Sequence, residues 1–140
     1  TGLGEGAVLA TGGKQIEGRA GFFVEPTIFT GCEPHMRIVR EEIFGPVLTI
    51  QSFETDDLDE IATMANDSIY GLSASVWTTD LAKAHKLARK IKSGQVGINV
   101  HAAIDPVTPF GGYKQSGWGR EFGREGLEPY LETKAITAYL

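Results

Sequence analysis

The spacing of apolar residues changes from stretch to stretch along the chain, and each change marks an element. Val47-Leu48-Thr49-Ile50 follows Pro46 as a short β-branched run, the chemistry of a buried strand. Leu58, Ile61, Ala62 and Ala65 then recur at i, i+3, i+4 and i+7, which predicts an amphipathic helix with Thr55 or Asp56 available to cap it. Leu72 to Trp77 returns to extended chemistry. Asp80 predicts the N-cap of a second helix, whose Leu81, Ala84, Ala88 and Ile91 share one face while Lys83, Lys86, Arg89 and Lys90 meet water. Gly94 suits the left-handed position that ends it, and Gln95 to Asn99 supplies a third strand. Strands joined by helices of this length are normally parallel and open a ligand crevice at their carboxyl ends. The expected fold class is α/β, built on a parallel β-α-β-α-β unit.

The flanks read differently. Residues 6–10 and 22–29 resemble short strands broken by Gly12-Gly13 and Pro26. A long loop runs from Asn99 to about Gly119, followed by a short helix near Arg124 to Tyr130 and a strand candidate from Thr133 to Leu140. A loop of that length inside a folded unit points to function.

Composition narrows the classes. With 140 residues and 41% hydrophobic content the chain can bury one core of ordinary domain size. A net charge of -5 argues against a nucleic-acid partner, which demands clustered Lys and Arg. No apolar run approaches the roughly 18 residues of a spanning helix, and the amino end has no basic segment leading into a hydrophobic one, so no membrane is expected and the cytoplasm is the expected compartment. Cys32 is the single cysteine. It allows no internal disulfide and no cysteine-based zinc site, and no metal is expected.

Glycine, with 18 residues, concentrates at Gly2 to Gly21 and Gly111 to Gly126. Gly2-Leu3-Gly4-Glu5-Gly6 and Gly117-Trp118-Gly119-Arg120-Glu121-Phe122-Gly123 look loosely like dinucleotide fingerprints, but neither keeps the spacing GxGxxG between a strand and its helix. Gly13-Lys14 is followed by Gln15 and Ile16, so it is no phosphate loop. These glycines serve positive-φ backbone. Cys32 and His35 form a possible nucleophile pair, yet a lone cysteine is usually a packing residue. His85 lies near the polar face of its helix. His101 follows the third strand, where a crevice should open, either as a hydrogen-bonding residue or as a catalyst.

Two segments are more specific. Glu41-Glu42-Ile43-Phe44-Gly45-Pro46-Val47 sets paired acids and an aromatic before a strand, and Pro109-Phe110-Gly111-Gly112-Tyr113-Lys114-Gln115-Ser116-Gly117-Trp118-Gly119-Arg120-Glu121 follows the last strand of the unit. Both closely resemble the aldehyde dehydrogenase superfamily, as do Ala65-Asn66-Asp67, Tyr70-Gly71-Leu72 and Gly97-Ile98-Asn99, in collinear order from about Gly6 to Leu140. The resemblance implies that residues 1–132 are the C-terminal portion of such an enzyme's catalytic domain and 133–140 an oligomerisation strand. The stretch from Asn99 to Pro106 is similar to phenylacetaldehyde and betaine aldehyde dehydrogenase-like members.

The same resemblance assigns roles. Glu42 would bind the ribose hydroxyls beside the nicotinamide of NAD or NADP, a task suited to an acceptor-only carboxylate, and Phe44 would supply an apolar wall for the ring. His101, Ile104 and Phe110 would line the tunnel for a small-molecule aldehyde, with Asp105 nearby and Asn99 fixing the loop through hydrogen bonds. The family oxidises aldehydes to carboxylic acids through a thiohemiacetal and an acyl-enzyme. Its nucleophilic cysteine and general-base glutamate are expected before the point where this sequence starts, so no catalytic residue is expected in this chain and the isolated chain is expected to be inactive. Cys32 falls outside the nucleophile position. Residues 133–140 would pair with another copy to give a homo-oligomer. A noncatalytic binding or oligomerisation module that retains the fold is the alternative.

Overall fold

The β-branched run after Pro46 does form a strand, but its partner lies behind it in the chain. The computed structural model describes residues 1–140, which divide into two compact units, Thr1–Asp56 and Asp57–Leu140. The first holds β1 (Val8–Thr11), β2 (Thr27–Thr30), α1 (Arg37–Arg40) and β3 (Val47–Thr49). They make a three-stranded sheet in the order β1-β2-β3, with β1 antiparallel to β2 and β2 parallel to β3. The expected unit in which Val47 to Ile50 opens the later parallel sheet is thus revised. β-branched chemistry marks a strand without naming its neighbour, and residues 31–46, with α1 inside them, give the crossover that a parallel β2–β3 pair requires.

Register in this unit is fixed at its turns. Thr27 is buried because its hydroxyl accepts from the Gly13 amide at 2.8 Å and donates to the Glu25 carbonyl at 2.8 Å. Gly12, at φ +73, lies so close to Pro26 that a Cβ would sit 2.2 Å from the Pro26 carbonyl oxygen. Ala7, Cys32 and Met36 form the small core, with Phe29, Ile38 and Val39 against it.

The second unit contains α2 (Leu58–Asn66), β4 (Ser73–Val76), α3 (Leu81–Lys90), β5 (Gln95–Ile98) and α4 (Gly123–Leu127). β4 and β5 pair in parallel, Ser73 opposite Gln95 through Val76 opposite Ile98, with α3 as the crossover. Asp80 caps α3 as expected, accepting from the Lys83 amide at 2.9 Å. The cap of α2 is Asp57 and not Thr55 or Asp56, its carboxylate accepting from the Asp59 amide at 2.7 Å. Ala84, fully buried, lets α3 approach α2 and the strands closely. Asn66 joins the two helix ends, donating to the Lys90 carbonyl at 2.9 Å and accepting from the Lys92 amide at 2.7 Å, while Lys90 pairs with Asp59.

Gly94 does not end α3. The helix stops at Ile91, and Gly94 is required for another reason: a Cβ there would lie 1.6 Å from the Gly111 carbonyl oxygen. The glycine-rich string is clasped to the amino ends of the parallel pair. Tyr113 donates its amide to Gly71 at 2.8 Å, Gln115 to Ile69 at 3.0 Å, and the Ser116 hydroxyl accepts from the Gly71 amide at 2.9 Å. The Lys114 ammonium closes the clasp on the Asn66 and Ser68 carbonyls at 2.9 and 2.8 Å, at and just past the end of α2.

The strand expected over Thr133–Leu140 is not formed within the single chain, and residues 131–140 are all exposed. Alternation of apolar residues specifies a pairing face, but a strand also needs a second strand beside it. The expected core of ordinary size is not realised either. Six apolar residues are buried, Ala7, Cys32, Met36, Ala62, Val76 and Ala84, none of them aromatic, while Phe22, Phe44 and Trp118 are fully in solvent. The accessible surface is 10894 Å². Two separate compact bodies of these sizes would expose about 8,500 Å² together, so the excess does not depend on how the units are arranged. No helix is long and apolar enough to cross a membrane.

Candidate cofactor and substrate site

Paired acids after a short helix can both be structural, both be presented, or be divided between the two tasks. Here they divide. The Arg37 guanidinium donates from Nε to the Glu41 carboxylate at 2.8 Å, an i, i+4 pair on α1, while the Arg37 amide is capped by Glu5 at 3.0 Å. Glu42 makes no comparable bond. It is exposed and, together with the bonded Arg37 and Glu41, lines a cleft of about 430 Å³ whose apolar walls are Phe29, Ile38, Ile43 and Val47. Two residues on, Phe44 is 96% exposed just before β3. An acceptor-only carboxylate without a protein donor beside apolar walls suits a ligand with neighbouring hydroxyls and a flat ring.

The other expected residues all fall in the second unit, along a loop anchored at both ends. At its start, Asn99 has φ +54, and its amide side chain accepts from the Thr78 amide at 2.9 Å and donates to the Thr78 carbonyl at 3.0 Å. Asn99 therefore holds the turn after β4, as a hydrogen-bonding residue and not a reactive one. His101 Nδ1 lies 2.7 Å from the Ser75 hydroxyl on β4. At the far end, Phe110 exchanges main-chain hydrogen bonds of 2.7 Å with Glu121, and its ring meets Phe122 at 6.5 Å between centroids. Phe110 shares a cleft of about 300 Å³ with Leu72, Gly112, Trp118 and Arg120. Between the anchors Ile104 is exposed.

Asp105, expected near the tunnel, shapes the loop. Its carboxylate accepts from the Val107 amide at 3.0 Å and its carbonyl accepts from Thr108. Ser75 was not legible from spacing, since nothing in a strand run signals a contact 26 residues ahead. Cys32 is buried against Ala7 and Met36, which suits a packing residue and leaves no access for a substrate. His85 is exposed on α3.

The family model of the aldehyde dehydrogenase family matches residues 1–136, nearly the whole chain. The chain belongs to the aldehyde dehydrogenase family. Among relatives, betaine aldehyde dehydrogenase of Bacillus subtilis is 49% identical over 138 residues, covering 96% of this chain and 28% of that protein. Mitochondrial 10-formyltetrahydrofolate dehydrogenase of Mus musculus is 46% identical over 98% of this chain and 15% of that protein. Among solved structures, betaine aldehyde dehydrogenase of Staphylococcus aureus in complex with NAD+ superposes with a TM-score of 0.87 at 50% identity, covering 94% of this chain and 26% of that one. An indole-3-acetaldehyde dehydrogenase of P. syringae in complex with NAD+ and IAA gives 0.89 at 48% identity, covering 95% and 27%. The aldehyde dehydrogenase chain described here thus spans less than a third of the relatives it matches. Its mixed α/β fold with parallel strand pairs is theirs.

Proposed function

We propose that this chain is the C-terminal part of the catalytic domain of an NAD(P)-dependent aldehyde dehydrogenase, which oxidises a small-molecule aldehyde to a carboxylic acid. Its share of the work is to hold the nicotinamide end of the cofactor and to wall the aldehyde tunnel. The observation that carries this reading is the difference between two acids of one cleft: Glu41 is bonded to Arg37, while Glu42 has no protein donor and lies two residues from an exposed aromatic.

The residues fit the group. Glu42 would accept hydrogen bonds from two adjacent ribose hydroxyls, and Phe44 would present an apolar face that limits how the nicotinamide can tilt. The bound cofactor supplies a hydride acceptor. His101, Ile104 and Phe110 would shape the tunnel, each on a loop whose ends the chain fixes with its own bonds. The adenosine ribose, whose 2′ position separates NAD from NADP, lies in this reading on a nucleotide-binding domain outside the chain. Residues 133–140 carry Ile136 and Tyr139 in full solvent exposure, which supports a strand that pairs with a second copy of the enzyme. A single buried cysteine supports a reducing compartment, the cytoplasm.

The test uses the full-length enzyme with Glu42→Gln and Glu41→Gln side by side. Losing a charged acceptor costs about 1.5–3 kcal/mol, so Glu42→Gln should lower kcat/KM for NAD+ by about tenfold or more, with Glu41→Gln within twofold. Equal effects of the two substitutions would overturn the reading. Residues 1–140 alone should show no NAD-dependent turnover with aromatic, aliphatic or amino aldehydes, and measurable turnover would refute that expectation.

A further inference from the structure

The turn that follows β5 is held in an unfavourable backbone shape. Asn99 has φ +54 and Ala102 has φ +52, both in the left-handed region that side chains other than glycine resist. The chain doubles back so sharply that a Cβ on Gly97 would lie 2.3 Å from the Val100 carbonyl oxygen. Asn99 is secured by its two bonds to Thr78. Ala102 has no polar side chain with which to secure itself. His101 sits between the two, and its Nδ1 meets the Ser75 hydroxyl at 2.7 Å.

Ser75 is well placed to act as an anchor. It lies in the middle of β4 and faces Gly97 across the parallel pair, where the absence of a side chain lets the Val100 backbone fold back and brings His101 over the strand. Its hydroxyl can both donate and accept, so it can satisfy Nδ1 in either tautomer. With Nδ1 engaged, Nε2 is the polar atom His101 has left for anything else. Beside this turn is a cleft of about 350 Å³ lined by Gly97, Val100, Ala102, Ala103 and Thr108, so a movement of the turn changes the cleft directly.

We propose that Ser75 is a positioning residue: by pinning His101 it sets the shape of the loop after β5 and thereby the aldehyde preference of the enzyme. This rests on the reading of that loop as tunnel wall. Ser75 touches neither aldehyde nor cofactor; it acts through His101.

The experiment compares Ser75→Ala and Ser75→Thr in the full-length enzyme with phenylacetaldehyde and acetaldehyde as probes, together with amide hydrogen exchange over residues 99–108. In Ser75→Ala the ratio of KM values for the two aldehydes should shift about fivefold, the ratio of kcat values should stay within twofold, and exchange over 99–108 should accelerate. Ser75→Thr, which keeps the hydroxyl, should restore both readouts. Faster exchange with an unchanged KM ratio overturns the inference, as does a Thr variant no better than Ala. A uniform loss on both aldehydes also overturns it, because that marks a merely structural residue. If the parent enzyme oxidises no aldehyde, the tunnel reading itself fails, and the exchange data still report whether Ser75 holds the turn.

Discussion

The parallel pair β4–β5 is finished with a different balance of contacts at its two ends. At the amino ends, the string from Phe110 to Ser116 is locked by glycines pressed against other backbone, with Gly94 against Gly111 and Gly71 against Lys92, and by hydrogen bonds from the main chain of Tyr113 and Gln115 and the side chains of Lys114 and Ser116. At the carboxyl ends, the turn from Asn99 to Ala102 carries two non-glycine residues at positive φ, where the other string has Lys114 alone, presses one glycine, Gly97, against backbone, and is held by the side chains of Asn99, Ser75 and His101. Glycine packed against backbone accepts almost no substitution, since a Cβ collides. Side-chain locking can be retuned residue by residue. A sheet that is rigid at one end and adjustable at the other suits an enzyme scaffold whose substrate range varies.

The contrast can be tested from its strong side downward. Gly94→Ala, which forces a Cβ into the Gly111 carbonyl, should destabilise the full-length enzyme by about 3 kcal/mol, read as a lower urea midpoint. Gly4→Ala, where the added carbon meets nothing, serves as the near-neutral comparison. Asn99→Ala removes two hydrogen bonds and leaves alanine in the left-handed region, a cost of about 2 kcal/mol. Asn99→Gly should recover part of that loss, because the backbone strain disappears while the bonds to Thr78 stay broken. Lys114→Met gives up the clasp on Asn66 and Ser68 and should cost about 1 kcal/mol. If Asn99→Ala proves as damaging as Gly94→Ala, the two ends are equally rigid and the distinction fails.

Much of this second unit was legible in sequence. The period of Leu58 to Ala65 and of Leu81 to Ile91 gave both helices, and Asp80, directly before Leu81, was the right cap even with Thr78 and Thr79 ahead of it. Thr55, Asp56 and Asp57 are three candidate caps in a row, and only geometry distinguishes them. Gly94 was recognised as special for the wrong reason, since sequence shows that a side chain is absent but not which neighbour forbids it. Val47 to Thr49 was found as a strand and assigned to the wrong neighbours, because pairing partners are long-range information. Of the site, Glu42 and Phe44 came from a motif and proved to be presented to solvent. Ser75 carried no motif at all.

The bare aromatic faces of Phe22, Phe44 and Trp118 have a practical consequence for anyone purifying residues 1–140. Copies of the polypeptide will stick to each other through these rings, more as concentration rises. Because the attraction between oily surfaces weakens on cooling, clumping should slow in the cold room.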